Sequence, residues 1–90
     1  MDNQQNNMYD LQMLTQEEVA ELLHTHVTTI AMLREVGILP AIKTGRNFMF
    51  SQQTIREFQV NYNGYDVSNR VKAVESFQCV YENMASGGNT

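Results

Sequence analysis

Residues 43–47, Lys-Thr-Gly-Arg-Asn, place a cation on either side of a glycine and an amide directly after them. Glycine allows close backbone approach, Lys43 and Arg46 can neutralise anionic oxygens, and Thr44 and Asn47 add hydrogen-bonding groups. The chemistry of such a set is non-covalent and suits a phosphate surface. A solvated turn of no function would also be polar, so the set has to be weighed with its surroundings. The second candidate is the stretch at residues 26–32. There Thr28 can hydrogen-bond a phosphate or a base edge, and Val27, Ala31 and Met32 can touch thymine methyls. No Arg, Asn or Gln on that face offers a bidentate purine contact. Arg34 is its nearest cation, with Glu35 and the upstream glutamates as competing partners.

Other chemistry is poorly supplied. His24 and His26 have a metal-like spacing, but no cysteine or further histidine completes a tetrahedral set, so no metal site is expected. His26 fits better as a helix cap or a phosphate donor. Cys79 stands without a nearby base, and there is no nucleophile–base pair, paired-carboxylate site or phosphate loop. Neither enzymatic activity nor a cofactor is expected.

Length, composition and charge restrict the possible functions further. Ninety residues with 42% hydrophobic content allow one small domain and an appendage. Ten acidic against six basic residues give a net charge of −4, unlike the basic balance usual for domains that rely on phosphate neutralisation. A local cationic cluster can still bind a polyanion, with modest affinity. No apolar run could span a bilayer, the first ten residues do not resemble a secretory signal, and cysteine is single. A cytoplasmic protein with no membrane partner is expected.

Four helices and a hairpin are needed to position these residues. Residues 1–12, rich in Asn and Gln, are expected to form a disordered leader. Thr15 and Glu18 form a capping box for a first helix ending near Leu23, with Val19, Leu22 and Leu23 on its apolar face. After a turn at residues 24–26, a second helix over 27–35 carries Ile30 and Leu33 inward, and Gly37 and Pro40 stop it. Residues 41–50 predict two short strands with a turn at 44–47, Ile42, Phe48 and Phe50 facing inward and Lys43, Arg46 and Asn47 outward. Ser51 caps a third helix over 52–62 with the stripe Ile55, Phe58 and Tyr62. A fourth helix over 66–85, capped by Asp66 or Ser68, carries Val67, Val71, Val74, Phe77, Tyr81 and Met84 on one broad face, and residues 86–90 form a flexible tail. That face either folds back on the core or pairs with a second copy, and dimerisation is the favoured expectation.

Two short helices across a three-residue turn have the layout of a helix-turn-helix. From Leu14 to Phe58 the chain resembles the excisionase family of winged helix-turn-helix proteins, related to the MerR-type DNA-binding domain. The resemblance lies in Leu14-Thr15, Glu18-Val19-Ala20 and Leu22-Leu23, then Thr29-Ile30 and Leu33. It continues through Gly37-Ile38-Leu39-Pro40-Ala41, Gly45-Arg46, Ile55 and Phe58. It departs where His24 replaces a small residue, often glycine, and where His26 replaces a Ser or Thr cap.

The fold class implied is mainly α: three short helices and a two-stranded wing over residues 13–63, with an additional C-terminal helix. The resemblance implies a sequence-specific DNA-binding protein of a phage or mobile element, serving as an excisionase, that is, a recombination directionality factor, or as a small transcriptional regulator. Its second helix would enter the major groove through His26, Val27, Thr28, Ala31 and Met32. Its wing would meet backbone or minor groove through Lys43, Thr44, Arg46 and Asn47. The implied partners are double-stranded DNA, a second copy of the chain, and an integrase or another phage or host protein. The alternative is a protein-interaction module that keeps the fold and binds a phage or host protein instead of DNA.

Overall fold

The capping box forms as its spacing predicts. In the computed structural model, which describes residues 11–87, the Thr15 N–H donates to Glu18 Oε1 at 2.9 Å and the Glu18 N–H donates to Thr15 Oγ1 at 3.1 Å. Helix α1 (Gln16–Leu22) starts there and buries Val19 and Ala20. The expected leader and tail fall, apart from residues 11, 12, 86 and 87, outside the described residues.

Helix α1 ends in a Schellman motif. The Thr25 N–H donates to the Ala20 carbonyl at 2.9 Å, and the His24 N–H donates to Glu21 at 3.2 Å. Closing that motif requires a left-handed residue, and His24 takes the role at φ 56°. A histidine in the left-handed region closes the turn at a conformational cost that glycine would not carry. Helix α2 (Val27–Val36) closes the same way at Gly37, φ 105°, with the Ile38 N–H donating to Leu33 at 2.9 Å. His26 holds the N-cap position, but its side chain makes no capping hydrogen bond, contrary to the expected capping role.

The sheet has three antiparallel strands, one more than expected. Strand β1 (Leu14–Thr15) pairs with β3 (Asn47–Phe50), which pairs in turn with β2 (Ile42–Thr44), in the order β1-β3-β2. Two residues are too few for a periodic signal, and pairing to Met49 and Phe50 makes them a strand. The register also corrects the orientation of Ile42. It lies opposite Met49 while Lys43 lies opposite Phe48, so Ile42 is on the face away from Phe48 and Phe50 and is 58% exposed. Phe50 is fully buried.

Helix α3 (Gln52–Asn61) begins at Ser51, whose Oγ accepts from the Thr54 N–H at 3.0 Å. It buries Ile55 and stacks Phe58 on Tyr62 with ring centroids 5.5 Å apart. Helix α4 (Arg70–Gly87) starts four residues later than expected, with Asn69 Oδ1 accepting from the Lys72 N–H at 2.9 Å. Asp66 instead closes the loop before it: Oδ1 accepts from the Ser68 N–H at 3.0 Å and the Ser68 hydroxyl at 2.6 Å. These bonds hold the Asp66 carboxyl below its ordinary value, the Ser68 side chain contributing most.

The inward face of α4 is the stripe Ala73, Ser76, Phe77 and Val80, not the broader apolar face expected. Ala73 joins the core cluster, and the Ser76 hydroxyl is satisfied by the Asp66 carbonyl at 3.0 Å. Two residues expected at a dimer surface, Val67 and Phe77, pack against the chain's own core. Val71, Val74, Tyr81 and Met84 stay exposed. The core they surround is Val19, Ala20, Ile30, Leu33, Ile38, Leu39, Phe50, Ile55 and Ala73. No helix among the described residues is long and apolar enough to cross a membrane.

Candidate nucleic-acid interface

Burying Ile30 and Leu33 turns the opposite face of α2 outward. His26, Val27 and Thr28 are exposed and Ala31 is half-buried. Met32 is also half-buried, but it packs against the core cluster and so leaves the outward set with less apolar surface than expected. One turn beyond Ala31 the face ends in Glu35, whose carboxylate is held by Arg70 of α4 at 2.5 Å. This α2–α4 ion pair joins residues 35 apart in sequence, a separation that leaves no local signal. At half exposure on both sides it is a screened surface contact rather than a large source of stability.

The hairpin presents its polar residues together. Lys43, Thr44, Arg46 and Asn47 are all exposed, and Thr44 pairs with Asn47 across a loop of two residues, Gly45 and Arg46. Gly45 has φ 68° and Arg46 has none in the positive range, the pattern of a type II′ turn, whose twist matches the flanking strands. A Cβ on Gly45 would meet nothing within 4 Å, so the backbone there is open to a partner. Arg46 and Asn47 also line a shallow depression with Thr15, Gln16 and Glu17, which places an acidic side chain at its edge.

Arg34 serves neither surface directly. Its Cζ lies 3.7 Å from the Phe48 ring centroid, and its Nε donates to Gln16 Oε1 at 3.1 Å. A looser contact of 3.9 Å reaches Glu35. The sequence offered glutamates as its partners; the amide of Gln16 and the ring of Phe48 are the contacts it missed. Lys43 approaches the same ring, with Nζ 5.7 Å from the centroid.

The structure therefore brings the hairpin residues into one polar tip and puts His26, Val27 and Thr28 at the N-terminal end of α2. Arg34 lies about 10 Å farther along that helix axis, at the helical rise per residue, and there α2 meets the hairpin strand through Phe48. Among the described residues no three His, Cys, Asp or Glu side chains gather as a metal-binding group. Cys79 is exposed.

Comparison with curated proteins and with solved structures returns no significant match. A family model described as a helix-turn-helix domain matches residues 13–59, just over half of the chain. That span contains α1, the Schellman turn at His24, α2, the three-stranded sheet and most of α3. With the two helices in place across the turn and the match covering them, the chain belongs to the helix-turn-helix domain family.

Proposed function

We propose that the chain binds double-stranded DNA as a winged helix-turn-helix protein of the excisionase and MerR-like kind. The β2–β3 hairpin is the wing, meeting backbone or minor groove through Lys43, Thr44, Arg46 and Asn47. Helix α2 enters the major groove through His26, Val27, Thr28 and Ala31, with Met32 contributing from its half-buried position. The observation that carries this reading is the exposed pair Lys43 and Arg46 on an open glycine turn, in a chain that also carries a helix-turn-helix domain. The helix supplies little purine-reading chemistry, so the wing contributes most of the affinity and α2 discriminates weakly.

The resemblance supports a place in a phage or mobile element, as a recombination directionality factor or a small transcriptional regulator in the cytoplasm. Selection from a random-sequence duplex pool tests this function: enrichment of a motif supports it, and binding without enrichment limits it to non-specific DNA binding. Absence of any duplex binding at low salt favours the other reading, in which the same surfaces contact a phage or host protein such as an integrase. The net charge of −4 and the acidic Glu35 at the end of the α2 face favour that second reading.

Two copies would supply two half-site contacts and offset the low charge. The outer face of α4 is the surface for that pairing. Val71, Val74 and Tyr81 follow the alternating three- and four-residue spacing of a helix seam, with Gln78 between them and Met84 beside them. Val67 and Phe77 belong to the inner packing and take no part in it.

A further inference from the structure

We infer that Arg34 is a positioning residue for DNA binding, setting the angle between α2 and the hairpin without contacting phosphate itself. The inference rests on the DNA-binding reading above. The guanidinium belongs to α2, lies 3.7 Å from the ring centroid of Phe48 on β3, and donates to Gln16 on α1 at 3.1 Å. One side chain thus touches all three elements that a groove-binding helix and a wing require to be held in register. Its side chain is only 21% exposed, so most of the cation is turned toward the protein.

The position matters because the tip itself is exposed, while β3 is anchored by its pairing to β1, by buried Phe50 and by Phe48, which packs against the core beside Arg34. Residues 42–47 are all exposed, and the core is made without Arg34. Phe48 is also the cross-strand partner of Lys43, whose Nζ lies 5.7 Å from the same ring centroid. Arg34 and the wing cation thus share one ring, and the backbone of Lys43 is held across the strand pair from it. A planar guanidinium can stack on a ring and donate sideways at the same time, whereas an ammonium offers a point charge without that fork. Lysine at position 34 should preserve charge and lose the geometry. Holding both contact surfaces before DNA arrives removes an ordering cost from binding.

The test uses the full chain with R34Q, R34K, F48L and the R34Q/F48L double variant, titrated with a random-sequence duplex over a range of salt. R34Q should weaken binding about tenfold with an unchanged slope of log K against log salt, and R34K should not restore it. R34Q and F48L should be markedly non-additive, as expected for groups in contact. Without DNA, the Arg34 δ-methylene proton signals should be shifted upfield by the Phe48 ring and return to ordinary values in F48L, a readout independent of whether R34Q remains well folded. Wild-type affinity in a folded R34Q, or full rescue by R34K, overturns the inference. A slope reduced by about one in R34Q would make Arg34 a direct phosphate contact and overturn it as well. Failure of the parent chain to bind any duplex removes the DNA-binding reading together with this inference, whereas failure of the R34Q effect alone leaves that reading intact.

Discussion

The Phe77 ring of α4 closes tightly over Gly37: a Cβ built on Gly37 would sit 3.3 Å from Phe77 Cζ. Gly37 also has φ 105°, so the end of α2 and the seating of α4 depend on one residue with no side chain. Gly37→Ala should destabilise the fold by about 2 kcal/mol, from left-handed backbone strain and a displaced ring together. Urea unfolding checks the value, and a stability equal to the parent would contradict both the strain and the steric cost.

His24 carries the corresponding turn at the end of α1 with φ 56°. A β-branched residue tolerates that conformation worst, so His24→Val should lower stability by about 1 kcal/mol while His24→Gly should not. Thermal unfolding of the two variants side by side separates the backbone effect from loss of the imidazole, which both share.

Asp66 links stability to pH. Its hydrogen bonds from Ser68 favour the carboxylate and lower its folded-state pKa. The stabilisation is therefore complete above the unfolded carboxylate range and is lost as pH falls through the lowered folded value. Asp66→Ala should be less stable than the parent at neutral pH, with the gap closing in acid. Melting curves across that range would contradict the assignment if the gap stayed constant.

Self-association places its demand on the outer face of α4. Val74→Glu and Tyr81→Glu should leave a well-folded monomer where the parent forms a dimer at high micromolar concentration, because both positions lie off the inner stripe. Light scattering measures this directly, and a parent that stays monomeric there removes the second half-site from the account.

Local signals carried most of the fold. Thr15 with Glu18, Ser51 with Thr54, and Gly37 each depend on neighbours within a few residues, so spacing alone located three helix boundaries. What spacing could not locate depended on distant partners. Leu14 and Thr15 become a strand only through Met49 and Phe50, and Ile42 faces outward because the register pairs it with Met49. Helix α4 carries two apolar stripes, and the one that packs contains Ala73 and Ser76, which a hydrophobicity pattern ranks below valine and tyrosine. At the candidate interface, the exposed tip of Lys43 through Asn47 was evident from residue types. The Arg34 stack on Phe48 was not, since it joins two elements whose relation only the folded chain defines.

Phosphate binding by the exposed cations of the hairpin is tested by duplex affinity as a function of salt for the parent chain and for Lys43→Gln with Arg46→Gln. The parent should bind at low salt with a steep inverse dependence, and the double variant should bind more weakly with a slope reduced by about two. Equal slopes in the two proteins, or no duplex binding by the parent at low salt, would contradict it.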